Sequence, residues 1–396
     1  MKLSLYNKGI NLFLTTGLFI SLLSSCNKSI PDAVPITQPQ PSGSSIAQII
    51  AGSNYTILNA AVQRANLTSL LSDKTKVFTF FAPDDAAMQL SGIPNAAAIS
   101  LFRVGQLDTL LMYHLIGGQQ YTSSNIVTTF PNMYLQSDFV LAPPSTSLPP
   151  GLRMPIFPSK NGFGLFVNNI PVTQADIPAA NGVIHKVAAV LMPPSQYLWD
   201  RINTDPNLTY LKAAIQRADS GSTASTSLQA ALQNPAANLT IFAPTNTAFQ
   251  QVLTGQITLA LIAQGMDPGT ASATATALAS SPTVFQNPAL YSVLTAQVVQ
   301  GIVVYHILGN RAFTVNLPTT ATYYPTLLNT VISSHPGLSL KATFGLTGVT
   351  AATAKGVGNA TASNILINPT PAPGGTSDQH YINGTIHEID QVLLPQ

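Results

Sequence analysis

The stretch Thr240-Ile-Phe-Ala-Pro-Thr-Asn-Thr-Ala-Phe249 decides the fold, because a variant of it, Phe80-Phe-Ala-Pro-Asp-Asp-Ala-Ala87, occurs earlier in the same chain. In both places a short run of β-branched and aromatic residues ends at a proline, Pro83 or Pro244. This pattern predicts a buried strand that enters a turn, since proline cannot donate to a strand ladder. The chain therefore carries the same strand and turn twice.

Three further landmarks recur in the same order. They are Leu58-Asn-Ala-Ala-Val-Gln-Arg-Ala65 with Leu211-Lys-Ala-Ala-Ile-Gln-Arg-Ala218, Tyr113-His-Leu-Ile-Gly117 with Tyr305-His-Ile-Leu-Gly309, and Asn181-Gly-Val-Ile-His185 with Asn383-Gly-Thr-Ile-His387. The separation between matching residues only grows along the chain, so the second copy is the first with loop insertions. A repeat of this length is a domain duplication rather than a solenoid unit. We predict one domain over 44–195 and another over 196–396, with an insertion at about 250–297.

Periodicity predicts the local structure. Leu58, Ala61, Val62 and Ala65 share one face of a helix, and the second copy repeats that face from Leu211. The apolar segments 107–116 and 298–308 are expected to be helix ends packed on a sheet. The segment Val183–Leu191 is expected to be a terminal strand. Gly182 and Gly384 follow asparagines, and we expect both at turn positions with positive φ.

The composition excludes several classes of function. Only 8% of residues are charged and the net charge is +2, whereas a typical domain carries about 25% charged residues. The sequence contains no run of basic residues, which nucleic-acid binding requires, so no nucleic-acid partner is expected. Polar surface must come from Ser, Thr, Asn and Gln. Because Cys26 is the single cysteine, neither an intrachain disulfide nor a multi-cysteine zinc site can form.

The amino terminus is predicted to be a targeting signal rather than part of a folded domain. Lys2 and Lys8 precede a broken apolar stretch that ends in Leu23-Ser-Ser-Cys26, which is similar to a bacterial lipoprotein signal. Residues 1–25 are therefore expected to be removed, Cys26 to be lipidated, and 26–43 to be a flexible linker. The alternative is an ordinary secretory signal with a chance cysteine. The expected location is the bacterial cell envelope, at the outer membrane or cell surface.

The landmarks resemble the fasciclin domain. The second copy matches the Ala-Pro motif almost completely, whereas the first has Asp84 for threonine and Met88 for the closing phenylalanine. The last motif is complete from Asn383 to Pro395, whereas Ala188 replaces an aspartate in the first copy. The resemblance covers nearly the whole chain after the linker. It implies an α+β fold of two tandem domains, each a bent β-sandwich or wedge with helices along one edge.

The resemblance also implies a role in adhesion through extracellular protein or glycan contacts, without a shared catalytic residue. In the family, partner contacts are associated with the region of the Tyr-His pair, so Tyr113, His114, Tyr305 and His306 are candidate contacts. The alternative is that the tyrosines are core residues. The insertion 250–297 is a second candidate surface, or a pair of packed helices with no partner. A carbohydrate-binding accessory protein is the other candidate function, although the chain has only one tryptophan, Trp199.

Four histidines recur between the copies: His114, His185, His306 and His387. A metal site needs three or four converging ligands, and each copy offers one pair with Asp176 or Asp378. We therefore expect buried hydrogen-bonding histidines that tie motif turns together, no metal and no cofactor. The alternative is a metal or ligand site.

The sequence offers no catalytic set. It has no Gly-x-Ser-x-Gly elbow, and Gly375-Thr-Ser-Asp-Gln-His380 lies in a loop unique to the second copy. The adjacent carboxylates of Asp84 and Asp85 correspond to Thr245 and Asn246. These residue types are near equivalents as helix caps, which favours capping over catalysis. We expect a protein that is not an enzyme.

Overall fold

The computed structural model describes residues 42–128, 130–143, 151–223, 225–345, 348–371 and 374–396. The predicted signal segment, Cys26 and the linker up to residue 41 lie outside the described residues. Residues 40–396 form one compact unit. Across the described ranges, no helix is both long enough and apolar enough to span a bilayer.

Eleven α-helices are found in the described ranges. They are α1 Ile46–Ile50, α2 Thr56–Arg64, α3 Thr68–Ser72, α4 Asp85–Leu90, α5 Val104–Tyr113, α6 Leu198–Thr204, α7 Thr209–Ala218, α8 Leu228–Ala231, α9 Asn246–Ala263, α10 Pro268–Ala279 and α11 Ala296–Tyr305. Six short 3-10 segments accompany them, at Ala96–Leu101, Pro206–Leu208, Pro282–Gln286, Pro288–Leu290, Thr314–Asn316 and Leu327–Thr330.

Sixteen strands are found in the same part of the chain. They are β1 Phe78–Pro83, β2 Leu115–Gly117, β3 Leu135–Ala142, β4 Leu152–Ile156, β5 Pro158–Asn161, β6 Gly164–Val167, β7 Ile170–Ala179, β8 Gly182–Val187, β9 Leu239–Pro244, β10 Ile307–Leu308, β11 Thr322–Tyr324, β12 Leu338–Gly345, β13 Gly348–Lys355, β14 Ser363–Ile365, β15 Gln379–Tyr381 and β16 Gly384–Ile389. The elements from α1 to β8 are called the first lobe, and those from α6 to β16 the second lobe.

Both lobes are built around the same pair of strands. In the first lobe β1 is parallel to β8 and antiparallel to β2, within a six-stranded sheet of order β2-β1-β8-β7-β6-β5. In the second, β9 is parallel to β16 and antiparallel to β10, within an eight-stranded sheet. The Ala-Pro motif and the Asn-Gly-x-Ile-His motif of each copy are therefore hydrogen-bonded neighbours. The predicted α+β class is confirmed.

Side-chain alternation on β1 divides the first core into two layers. Phe80 packs against α1, α2 and α5, whereas Phe81 faces the hairpin formed by β3 and β4. The second lobe repeats this division, with Ile241 toward the helices and Phe242 toward β12 and β13. Helices therefore cover one side of the central strands and further strands cover the other.

The predicted helices are confirmed, because the apolar faces that begin at Leu58 and Leu211 lie on α2 and α7 and are buried. The predicted terminal strand is too long. Strand β8 ends at Val187 rather than Leu191. The backbone N–H groups of Val190 and Leu191 instead donate to Ser91 Oγ at 2.9 Å and His114 Nε2 at 2.9 Å, so this segment leaves the sheet.

The two motif glycines differ. Gly182 has φ of +139°, as predicted, and a Cβ there would lie 1.9 Å from the backbone oxygen of Phe78. Gly384 does not have a positive φ, so that prediction was wrong. Glycine is needed at this position because there is no room for a side chain. A Cβ would lie 2.4 Å from Leu198 Cδ1 and 2.7 Å from the backbone oxygen of Leu239.

Candidate functional site

The histidine of each Tyr-His pair is buried and links a helix to the carboxyl-terminal segment of its lobe by hydrogen bonds. His114 ends α5, where Nδ1 lies 2.8 Å from the Leu110 oxygen while Nε2 accepts from the Leu191 N–H. These contacts fix the tautomer with the proton on Nδ1. His306 repeats the arrangement with Ile302 at 2.8 Å and Leu393 at 2.8 Å. Each ring therefore joins its helix to the carboxyl-terminal segment of its own lobe.

Burial lowers the pKa of both His114 and His306 to about 4, because desolvation penalises the charged ring more than the carbonyl contact favours it. Both rings are neutral at physiological pH. A neutral ring whose two nitrogens are occupied cannot serve as an acid, a base or a metal ligand without breaking a bond that holds the lobe together.

The tyrosines of the pair are also buried. The Tyr113 hydroxyl contacts the Pro155 oxygen at 3.3 Å and accepts from Asn168 Nδ2 at 3.1 Å. The Tyr305 hydroxyl donates to the Gly337 oxygen at 2.8 Å and accepts from the Val357 N–H at 3.1 Å. Burial raises the pKa of both tyrosines. The hydroxyls hold neighbouring strands and loops inside each lobe.

All four candidate contact residues are almost completely buried. Their exposed fractions are 0% for Tyr113 and Tyr305, 1% for His114 and 2% for His306. Side chains enclosed to this degree present no surface to a partner, so the prediction that they make the contacts directly was wrong. The alternative, that the two tyrosines are core residues, is the correct one. The physical reason is that α5 and α11 end with these side chains aimed into the core, where each polar atom named above has a partner.

The second histidine of each copy ties the last strand to a loop. His185 Nε2 lies 2.8 Å from the Tyr121 oxygen, and Nδ1 accepts from the Asp176 N–H at 3.3 Å. His387 makes the same two contacts with Ala312, at 3.1 Å, and with Asp378, at 3.2 Å. Burial lowers the pKa of His185. Both rings stack on the phenylalanine of the Ala-Pro motif, which makes them part of the core.

The asparagines of the last motif pin the first helix of each lobe. Asn181 Oδ1 accepts from the Ile46 N–H at 2.8 Å, while Nδ2 donates to the Leu71 oxygen at 2.9 Å. Asn383 makes the corresponding bonds with Leu198 at 3.0 Å and Leu232 at 2.9 Å. Both side chains are fully enclosed, so these bonds satisfy helix-end groups that water cannot reach.

The polar pair after each motif proline caps two helices, as predicted. Asp84 accepts from the Ala87 N–H at the start of α4, and Thr245 does so from Ala248 at the start of α9. The next residue caps an earlier helix, α2 in the first lobe and α7 in the second. Asp85 accepts from the Ile57 N–H at 2.8 Å, and Asn246 accepts from the Tyr210 N–H at 3.1 Å. No catalytic geometry is needed to explain either pair.

Asp176 and Asp378 do not join the histidines as metal ligands. Each holds a loop in left-handed conformation, with φ of 60° and 55°. Asp176 accepts from the backbone and side chain of Ser123, and Asp378 accepts from those of Thr314 at 2.6 Å each. Throughout the described residues, no group of three or more His, Cys, Asp or Glu side chains is arranged to hold a metal ion.

The insertion forms α9 and α10, which pack against each other, followed by two 3-10 segments. Ala271, Ala275 and Ala279 lie on the buried face of α10. Small residues at this spacing allow the helices to approach closely. The opposite faces remain exposed, so both sequence interpretations, packed helices and an available surface, stay open.

The lobes meet at a seam that sequence reasoning missed. Phe157 of the first lobe and Phe313 of the second are buried, with ring centroids 6.1 Å apart, and His380 packs edge-on against both. The Arg311 guanidinium lies 4.7 Å from the Phe157 ring centre, a cation–π contact. Arg311 also donates to the Tyr381 oxygen at 2.9 Å.

Desolvation lowers the pKa of Arg311 to about 9 and the pKa of His380 well below its ordinary value, so the cation at the seam is the arginine. The carbonyl partners of Arg311, Tyr381 and Ile382, belong to the second lobe, so the contact that Arg311 makes across the seam is the one with the Phe157 ring. The sequence pattern predicted a loop at His380, whereas this residue lies on β15, and gave Arg311 no role, because neither residue belongs to a repeated landmark.

Comparisons with known proteins fit this geometry. The fasciclin domain profile matches residues 53–193, which contain the first lobe's motif strands. The protein sll1483 of Synechocystis is 31% identical over 157 residues, covering 39% of this chain and 76% of that protein.

The chain belongs to the fasciclin domain family.

Other fasciclin relatives are much longer than the matched region. Mouse stabilin-1 is 27% identical over 165 residues, which are 41% of this chain and 6% of stabilin-1. Pig transforming growth factor-beta-induced protein ig-h3 is 30% identical over 151 residues, 38% of this chain and 19% of that protein. A solved FAS1 domain pair from the insect cell adhesion molecule fasciclin I covers 88% of this chain and 95% of its own at 16% identity and a TM-score of 0.33.

The fasciclin motifs thus account for the fold in both lobes. Of the twelve motif residues predicted as structural, the asparagines, tyrosines and histidines make the contacts described above and the two prolines end β1 and β9. None of these polar side chains is free to react. Any contact with a partner must use surface outside the motifs.

Proposed function

We propose that this protein is a surface-anchored, non-enzymatic adhesion or extracellular matrix-contact protein built from two fasciclin domains. One observation carries the proposal: in both lobes the repeated polar motif residues are enclosed and hydrogen-bonded, so the motif serves the fold rather than a reaction. Only 8% of the residues are charged, so the polar surface consists mainly of uncharged side chains. Such side chains suit hydrogen bonding to an uncharged extracellular matrix component.

Membership of the fasciclin family gives further support, because the resemblance implies adhesion through extracellular contacts. The transfer of that role to this chain is part of the proposal. Two lobes on one chain could raise avidity when both engage one surface, because the second contact forms at high effective concentration.

The proposal includes a lipid on Cys26 that holds the protein at the bacterial cell envelope, at the outer membrane or cell surface. Residues 26–43 would then act as a spacer of about 50 Å when extended, at about 3 Å per residue. Cys26→Ser tests this part. We expect loss of fatty-acid labelling and release of the protein from the membrane fraction, whereas Ser25→Ala, a matched neighbour, retains both. Retained labelling in Cys26→Ser contradicts the anchor.

Attachment tests the adhesive function itself. Cells that lack the protein are compared with cells complemented by the wild type on surfaces coated with matrix proteins or polysaccharides. We expect complementation to restore attachment to at least one coating. Equal attachment of both strains on every coating contradicts the proposed function.

A second candidate function is a carbohydrate-binding accessory protein of the cell surface. The buried Trp199 offers no sugar platform, since it is 5% exposed. A cleft between the lobes, lined by other aromatic and amide side chains, favours this candidate instead.

A further inference from the structure

A cleft of about 480 Å³ lies between the two lobes. The first lobe contributes Val127, Thr128, Phe130, Asn132 and residues 159–163, and the second contributes residues 316–320 with Tyr324 and Phe344. The volume lies within the range of about 300–1,000 Å³ that is usual for small-ligand sites. The cleft exists only where both lobes are present.

The base of the cleft is fixed by polar contacts between the lobes. Asn161 Nδ2 donates to the Val315 oxygen at 2.7 Å, and Asn161 Oδ1 accepts from the Phe163 N–H at 2.8 Å. Ser159 Oγ donates to Asn316 Oδ1. The walls are therefore held in place before any ligand arrives, which reduces the entropy lost on binding.

Aromatic rings from both lobes line the cleft in two pairs. Phe163 stacks on Phe344 with centroids 4.3 Å apart and planes 11° apart, and Phe163 is 56% exposed. Phe130 meets Tyr324 edge-on at 4.5 Å. An exposed pair of apolar rings at a cleft is a surface on which an apolar ligand face gains contact.

Polar side chains lie beside the rings in the same cleft. Thr319, Thr320 and Tyr324 carry hydroxyl groups, whereas the Nδ2 atoms of Asn132 and Asn316 are enclosed and out of reach of a ligand. A ligand that carries hydroxyl groups can exchange hydrogen bonds with the lining hydroxyls, whereas a purely apolar ligand cannot.

The charges of the cleft exclude other ligand classes. Of the described residues that line the cleft, Lys160 is the only cation, and none is an aspartate or a glutamate. A single cation is too little for nucleic acid, which needs a cluster. A cationic ligand would meet no counter-charge. The cleft thus suits a molecule that combines an apolar face with several hydroxyl groups.

We propose that this cleft binds a sugar unit of an extracellular polysaccharide. The apolar ring face of the sugar would lie on the outer face of the exposed Phe163 ring, which Phe344 supports from behind, and its hydroxyl groups would bond to the hydroxyls of Thr319, Thr320 and Tyr324. The inference rests on the proposed adhesive function and names the glycan as the partner. Lys160 would favour a uronic acid over a neutral hexose.

The experiment uses isothermal titration of the purified full chain with soluble oligosaccharides of four to six units, in one neutral glucan series and one uronate series. We expect saturable binding by the wild type. Phe163→Ala should weaken binding at least tenfold, Tyr324→Phe about threefold to tenfold, as for one lost hydrogen bond, and Lys160→Met should weaken only the uronate series.

Tyr291→Ala is the matched control, because Tyr291 is a partly exposed aromatic residue, 40% exposed, that lies in the second lobe and does not line the cleft. It should bind as the wild type does. Trp199 fluorescence and circular dichroism establish that each variant is folded. Equal affinity of the wild type and Phe163→Ala overturns the proposal, as does the absence of binding to both series.

Attachment of cells separates this inference from the adhesive function. If Phe163→Ala loses oligosaccharide binding and attachment to polysaccharide but not to protein coatings, the cleft is the glycan site. If the wild type attaches to protein coatings but binds no oligosaccharide, the glycan inference is wrong and the adhesive function stands. The same conclusion follows if the cleft binds a peptide of the matrix instead of a sugar. If it binds oligosaccharide yet never affects attachment, the adhesive function is wrong and the site stands.

Discussion

The two lobes share one set of motif contacts in different surroundings. Asp176 of the first lobe is exposed, whereas Asp378 of the second is 6% exposed, yet both hold the same left-handed turn and accept the same pair of bonds. After the motif histidine, Lys186 pairs with Asp84 at 2.5 Å in the first lobe, whereas Glu388 pairs with Arg201 at 3.0 Å in the second.

The hydrogen bonds of the motif residues are therefore independent of the charge and burial of the surrounding residues. Charge, burial and loop length around the motif changed between the lobes, while the asparagine, the two histidines and the capping pair kept their partners. The helix after the motif proline is longer in the second lobe, α9 instead of α4, and α10 is added after it. Predictions that set matching positions of the two lobes against each other can therefore break or sharpen this comparison.

The largest effect is expected from the motif glycines. In Gly182→Ala the new Cβ would lie 1.9 Å from the backbone oxygen of Phe78 at a φ of +139°, so we expect the first lobe not to reach its native fold. In Gly384→Ala part of the clash is with the flexible end of Leu198, so the loss should be smaller. Thermal unfolding by circular dichroism measures both. A milder effect at 182 than at 384 contradicts the comparison.

The buried asparagines come next. Asn181→Ala removes bonds to Ile46, Leu71 and Asp73, and Asn383→Ala removes bonds to Leu198 and Leu232. We expect each change to lower the free energy of unfolding by about 3–5 kcal/mol, because buried backbone groups lose their partners. Denaturant titration followed by Trp199 fluorescence reports the second lobe. Only Asn383→Ala should shift that signal strongly if the lobes unfold separately.

Acid should lower the free energy of unfolding of both lobes by protonating His114 and His306. The pKa of His114 and His306 is about 4 in the folded protein and about 6.5 when unfolded, so the unfolded chain binds more protons between these values. Stability is therefore complete above pH 6.5 and falls as the pH drops toward 4. We expect a loss of about 2 kcal/mol per histidine between pH 7 and 5.

The variants His114→Gln and His306→Gln check the assignment. Each should be less stable than the wild type at pH 7, since the glutamine does not reproduce both ring contacts, and each should flatten the dependence of the unfolding free energy on pH by one histidine's share. A slope that stays unchanged in both variants contradicts the role given to these rings.

The smallest effect is expected from exchanging the helix caps. Asp85→Asn keeps an acceptor for the Ile57 N–H, but loses the charge at the start of α2 and the oxygen that accepts from the Thr56 hydroxyl at 2.8 Å. Because the Thr56 contact is exposed, we expect a loss below about 1 kcal/mol. Asn246→Asp also loses the Nδ2 bond to the Pro206 oxygen at 2.8 Å, and should cost about 1 kcal/mol or slightly more. Denaturant midpoints measure the difference, and a loss above 2 kcal/mol in Asp85→Asn disagrees with capping.

The sequence by itself determined the duplication, the α+β class, the motif strands β1 and β9, the helices α2 and α7, and the double caps after Pro83 and Pro244. These features depend on local spacing and on residue types that act within a few positions, so they are visible in one dimension. The burial of the motif histidines was also predicted, because each copy offers one histidine pair and one aspartate, Asp176 or Asp378, whereas a metal site needs three or four converging ligands.

Only the tertiary structure decided which surfaces are available. It enclosed Tyr113, His114, Tyr305 and His306, ended β8 at Val187, and brought Phe163 beside Phe344 and Phe157 beside Phe313. These pairs lie far apart along the chain and belong to no repeated landmark. Their meeting depends on how two separately folded cores pack, and that depends on long-range contacts which neither periodicity nor motif spacing records.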